Sequence, residues 1–200
     1  MTVHELLLKR FATKKFDPSK KIYEEDLKYI LEAARLSASS ANTQPWRILV
    51  VKNQEVKNKL LPISYNQSQV VDAPVVLVIA IVKDPMIRIQ KTAAIIAASS
   101  GQTSADAYVQ MVKGWIPSDE RSKLEWLQRQ VYLALQAMML AAIEKGIDSC
   151  PMEGFNSTEY AHVLNLKDEV PTVVLPLGYS LTQGFLKVRV PIEDIVLEIN

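Results

Sequence analysis

The sequence predicts an α+β fold, a small sheet flanked by helices, in one domain spanning residues 1–200. Three observations predict it. Short apolar runs of strand length recur at Ile48 to Val51, Val75 to Val82 and Thr172 to Tyr179, and the second is rich in β-branched residues. Between them, apolar residues at spacings of three and four mark helices, most clearly over 24–37 and 122–145. Finally, 200 residues with 48% apolar content suffice for one packed core, and no repeat, low-complexity tract or Pro/Gly-rich linker divides them.

The first 21 residues hold six basic residues against two acidic ones. Either a transit peptide or a solvated basic helix end gives that balance, and the low serine content favours the helix end. Residues 24–37 place Leu27, Ile30, Leu31 and Ala34 on one helical face, with Glu24, Glu25 and Asp26 where the helix dipole favours anions. A polar loop from Ser39 to Trp46 leads into the strand at Ile48, and Pro74 marks the entry to the strand at Val75. Lys83 to Trp115 is helical in composition but interrupted. Ser122 to Lys145 lacks Gly and Pro, repeats Leu124, Leu127, Val131, Leu135, Met138 and Ala142, and is closed by Gly146. Leu133, Met139, Leu140 and Ile143 make this helix apolar nearly all round, so it is expected at the centre of the fold or against a second subunit. Lys187 to Val190 reads as a short strand that turns Lys187 and Arg189 to one side. The tail, Pro191 to Asn200, alternates apolar residues with acids and has little chain left to pack against, which invites docking onto a partner.

The formal net charge of +1 gives no global attraction to nucleic acid or membrane, so anion binding must be local. No apolar run reaches the roughly 20 residues that span a bilayer. The one cysteine, Cys150, fits a reducing compartment, and the cytoplasm is the expected location. The six glycines form neither a dinucleotide fingerprint nor a Walker loop. His4 and His162 have no second ligand at metal spacing, and no serine sits in a nucleophile elbow. Acid, base, nucleophile and metal ligand are all thinly supplied, which favours an organic redox cofactor that brings its own reactivity. If that cofactor carries a phosphate, side chains such as Arg10, Lys187 and Arg189 must hold it.

Four stretches carry a resemblance: Arg10-Phe11-Ala12-Thr13-Lys14, Ser39-Ser40-Ala41-Asn42-Thr43-Gln44-Pro45-Trp46, Pro151-Met152-Glu153-Gly154-Phe155 and Lys187-Val188-Arg189. In this order and at these intervals they resemble the FMN-dependent nitroreductase family, closest to the oxygen-insensitive NAD(P)H nitroreductases. The resemblance implies a three-layer fold with a mainly antiparallel sheet, in a domain-swapped homodimer whose tail, about 187–200, extends onto the partner. It implies FMN at the dimer interface, reduced by NADH or NADPH. Arg10, Lys187 and Arg189 would hold the phosphate, with Ala12 beside it. Lys14 would sit by the pyrimidine and ribityl chain, and Asn66 would pair with the pyrimidine edge. Ser39, Ser40 and Asn42 would come from the opposite subunit. The Pro151 turn would present the N–H groups of Glu153 and Gly154 to flavin N5 and O4, and Tyr108 and Phe155 would form the substrate wall. No side chain is expected to be catalytic, because N5 is the reactive centre.

Each residue also has a plainer reading. Arg10 and Lys14 suit a helix end, Lys187 and Arg189 suit an exposed strand edge, Glu153 suits any loop, and Trp46 suits the core. Three positions depart from the family pattern. Ala12 replaces a common serine and removes a hydroxyl, and Ala38 replaces a usual proline. Gln69 stands where many relatives carry a lysine near flavin O2. Losing that charge-assisted bond, worth roughly 1.5 to 3 kcal/mol, is expected to make the flavin harder to reduce by tens of millivolts. The expected activity is two-step electron transfer from NAD(P)H to nitroaromatics or quinones. Enone reduction, dehalogenation of aromatic rings, and FMN binding without significant turnover remain as alternatives.

Overall fold

The computed structural model describes residues 1–199, so Asn200, the last residue of the tail, lies outside the described residues. Strands β1 (Trp46–Val51), β2 (Val75–Val82), β3 (Asp148–Ser149) and β4 (Glu169–Gly178) form an antiparallel sheet in the order β1-β2-β4-β3. Val51 pairs with Val76, Val75 with Leu177, and Ser149 with Leu177. Around the sheet lie α1 (Val3–Lys9), α2 (Glu24–Arg35), α3 (Gln54–Leu60), α4 (Gln69–Asp72), α5 (Met86–Ser100), α6 (Gln102–Lys113), α7 (Glu120–Glu144) and α8 (Ser157–Val163).

β2 is buried along its whole length, which explains why its sequence is a continuous apolar run instead of an alternating one. Leu77, Ile79 and Ile81 pack with Leu27 and Ile30 of α2 and Leu127, Val131 and Met138 of α7. Val76 and Val78 pack on the other side with Leu60 of α3, Val70 of α4 and Tyr160 of α8. Helices therefore cover both faces, and the three-layer α+β arrangement expected from the sequence is the one observed.

α7 begins where the Asp119 carboxylate accepts from the Ser122 N–H at 2.9 Å. It ends in a left-handed Gly146 (φ +73°), with the Ile147 N–H returning to the Ala142 carbonyl at 2.9 Å. Met139 and Ile143 are buried within the chain while Tyr132 and Leu133 are exposed, so most of the apolar girdle serves the chain's own core. The interrupted stretch after Lys83 is a pair of helices, α5 and α6, broken at Gly101, whose φ of +85° is costly for any residue with a Cβ.

One predicted element is absent. Residues 187–190 form no strand, and no described strand pairs with them. Instead the Lys187 ammonium donates to the carbonyls of Leu7, at 2.6 Å, and Arg10, which pins the segment to the end of α1. Beyond it, Ile192–Asp194 forms a single 3-10 turn, and Val196, Leu197 and Ile199 are exposed. No described helix is long and apolar enough to cross a membrane.

Candidate active site

The two ends of the chain meet beside β3. α1 opens with a capping box between Thr2 and Glu5 and stops at Arg10, which turns extended. The next residues run along β3: the Thr13 N–H donates to the Ser149 carbonyl at 3.1 Å, and Ala12 bridges to Ser149. At that register Thr13 is buried while Lys14, next to it, is exposed. From the other end, the Lys187 tether brings Arg189 up to Arg10. Arg10, Lys187 and Arg189 line a cavity of about 380 Å³ together with His4 and Gln136.

This cluster is electrostatically uncompensated. No ion pair among the described residues includes Arg10, Lys14, Lys187 or Arg189. Burial, and then the neighbouring Arg189, push the Arg10 guanidinium below its ordinary value, with Cys150 opposing. Burial, then Arg10 and Arg189, do the same to the Lys187 ammonium. Arg10 Nη1 is buried with no hydrogen-bond partner, as are Thr13 Oγ1 and Ser149 Oγ. Like charges held together with unspent donors form a ready site for a polyanion such as a phosphate.

Next to the cations lies a run of polar contacts. Lys14 Nζ stands 3.5 Å from Cys150 Sγ, and Gln69 Nε2 stands 3.9 Å from the same sulfur. Gln69 Nε2 also donates to Gln67 Oε1 at 3.1 Å, and Gln67 Nε2 donates to the Gly154 carbonyl at 2.8 Å. A Cβ on Gly154 would sit 2.9 Å from Gln67 Nε2, so the glycine is what lets the amide approach. After Pro151, Met152 exchanges two backbone bonds with Val174 and so anchors the turn. The N–H groups of Glu153 and Gly154 donate no hydrogen bond among the described residues. The Glu153 carboxylate accepts from the Tyr132 hydroxyl at 2.6 Å, and the partial burial of this surface tyrosine, followed by that bond, pushes it up to about 12.

Other expected site residues make their contacts elsewhere. Phe155 leans on Tyr160, ring centroids 4.7 Å apart, partly buried against the core on the Val76 and Val78 side of the sheet. Asn66 is exposed in a left-handed turn, its N–H bonded to the Leu61 carbonyl. Ser39, Ser40 and Asn42 belong to a tight loop in which Ala41, Asn42 and Gln44 all have positive φ. Ser39 Oγ accepts from the Gln44 N–H, Gln130 Oε1 accepts from the Ser40 N–H, and the Tyr108 hydroxyl donates to the Ala41 carbonyl at 3.0 Å. Tyr108 and the loop thus form one unit, and among the described residues no hydrogen bond joins it to the Arg10 cluster. Sequence reasoning gave no site role to Cys150, Gln67, Thr13, Ser149 or Tyr132. Thr13 lies inside a quoted motif and Ser149 and Cys150 just before one, whereas Gln67 is signalled only by its place between Asn66 and Gln69, and nothing local signals Tyr132.

The sequence profile of the nitroreductase family matches residues 7–179. A candidate NAD(P)H nitroreductase of Staphylococcus haemolyticus is 36% identical over 201 residues, covering 94% of this chain and 92% of the relative. Another, from Bacillus subtilis, is 32% identical with the same coverage. Among solved structures, a candidate nitroreductase of Exiguobacterium sibiricum in complex with FMN superposes with a TM-score of 0.90 at 26% identity, covering 100% of this chain and 98% of that one.

Proposed function

The chain belongs to the nitroreductase family, and from that premise we propose that it is an FMN-dependent NAD(P)H oxidoreductase delivering electrons to nitroaromatic or quinone acceptors. The carrying observation is the uncompensated trio Arg10, Lys187 and Arg189, with a buried guanidinium nitrogen that has no partner. The donor set fits FMN: three cations for a phosphate, then the Lys14 ammonium, then two undonated backbone N–H groups at Glu153 and Gly154. Bound FMN supplies two-electron chemistry between NAD(P)H and the acceptor.

The chain's own contribution is placement and charge. The trio holds the phosphate. Lys14 puts positive charge where negative charge gathers on reduction, which raises the potential. The Glu153 and Gly154 N–H groups orient the ring edge. In this reading the Ser39 loop and Tyr108 act on a second copy, since within one chain no hydrogen bond among the described residues joins them to the cations and they do not line the same cavity, and the enzyme is a homodimer. Donor and acceptor then use one pocket in turn, and the cytoplasm suits the single free thiol.

The test is to purify the protein, look for flavin absorbance, and follow NAD(P)H oxidation with and without nitrofurazone or menadione. Parallel lines in double-reciprocal plots support alternate use of one pocket. A protein that stays colourless in excess FMN sinks the proposal.

A further inference from the structure

The polar run beside the cations converges on a thiol that has no role in the reading above. Cys150 follows β3, and its N–H donates to the Pro176 carbonyl at 3.1 Å, which fixes its backbone against β4. Its side chain is fully buried. Two donors from remote parts of the chain nevertheless reach its sulfur: Lys14 Nζ at 3.5 Å and Gln69 Nε2 at 3.9 Å. Both lie within the range of N–H···S contacts. Gln69 and Gln67 carry the connection on to the Gly154 carbonyl.

We propose that Cys150 is a positioning residue: its neutral sulfur orients the Lys14 ammonium without cancelling its charge, and through Gln69 and Gln67 ties that ammonium to the Gly154 backbone. The inference rests on the FMN reading of the site. A carboxylate in the same place would orient Lys14 too, but would pair with it and remove the positive charge that FMN reduction calls for. Burial pushes the Cys150 thiol up, against the pull of Lys14, Gln69 and Arg10, so the group stays protonated near neutral pH and acts as a soft, uncharged acceptor. Lys14 therefore keeps its positive charge beside an acceptor that does not neutralise it.

The test is spectroelectrochemistry on FMN-loaded wild type, Cys150→Ala and Cys150→Ser, alongside the FMN dissociation constant. Cys150→Ala is expected to lose roughly three- to tenfold of the preference for reduced over oxidised FMN, a fall of about 15 to 30 mV for a two-electron couple. Cys150→Ser keeps an acceptor and is expected to recover most of that loss. If the alanine variant does not fold, Cys150→Val fills the space without an acceptor and takes its place. In a Lys14→Met background, Cys150→Ala is expected to shift the potential no further, because the sulfur acts through the ammonium. An unchanged potential in Cys150→Ala, an equal fall in the serine variant, or a full shift persisting without Lys14 overturns the inference. Wild-type protein that binds no FMN overturns the reading beneath it as well, and that result is seen before any variant is made.

Discussion

Arg10 has one guanidinium nitrogen buried without a partner and a second guanidinium close enough to depress its own proton affinity. A charge left that way in a folded chain is costly unless a ligand completes it. Arg10→Gln is expected to weaken FMN binding by roughly ten- to a hundredfold, the worth of one charge-assisted phosphate bond, while the melting temperature of the free protein holds or rises. Fluorescence titration with FMN and a thermal melt check both halves, and unchanged affinity removes Arg10 from the phosphate site. Gln69 is buried, its amide nitrogen committed to Gln67 and Cys150. Gln69→Lys would place a second ammonium near Lys14, so the bound flavin is expected to become easier to reduce by tens of millivolts while the fold loses stability from the buried charge. Spectroelectrochemistry decides this, and a potential equal to or below wild type counts against the account. The residue scale is also where sequence said least. Lys14 and Cys150 are 136 positions apart, and nothing local in either neighbourhood announces that they touch.

Elements were legible in proportion to how far their own pattern determines them. α7 was readable because a long Gly- and Pro-free run with an apolar stripe and a terminal glycine specifies helix without outside help, and its bounds differ from the expected 122–145 by two residues at the start and one at the end. β2 was readable because β-branched residues on both faces suit a central strand. α4 was not, since four residues cannot sustain a helix alone and tertiary contacts must hold it. Those contacts include the buried Lys57 ammonium, which donates to the Val71 carbonyl at 3.2 Å and the Ala73 carbonyl at 2.7 Å. Lys57→Met is expected to leave both carbonyls unpaired in the interior, destabilise the fold by about 1 to 3 kcal/mol, and release the helix that carries Gln69. Urea unfolding measures the first effect, and hydrogen exchange at residues 69–73 the second. Stability equal to wild type would mean that desolvation of the ammonium, which already pushes its proton affinity down, offsets the bonds it makes. The same logic explains the strand expected at 187–190. Its alternation is real, but a strand exists only where another backbone pairs with it, and the chain itself offers none there.

For the whole molecule, the exposed apolar tail calls for a covering surface. Leu197 and Ile199 are 84% and 90% exposed, and the acids Glu193, Asp194 and Glu198 make no ion pair among the described residues. Burying side chains of this size is worth about 1.5 to 3 kcal/mol each, a strong drive toward some partner surface. β1 has a strand on one side only, and beside it runs a groove of about 550 Å³ lined by Leu49, Val51, Val56 and Leu164. At the other end of β1, Arg88 has a buried Nε without a partner. We infer that the apolar and acidic tail of a second copy docks along that edge, its apolar residues in the groove and an acid toward Arg88. Because Lys187 and Arg189 lie before Pro191, the tail's two proposed tasks can be separated. A chain ending at Val190 keeps every cation of the phosphate site and loses the clasp, so it is expected to sediment as a monomer and to bind FMN weakly for want of the second copy's Ser39 loop. Lys187→Gln with Arg189→Gln should behave oppositely, remaining dimeric by sedimentation while FMN affinity falls. If the shortened chain stays dimeric with full FMN affinity, dimerisation runs through another surface, and the exposed face of α7 around Leu133 becomes the place to look.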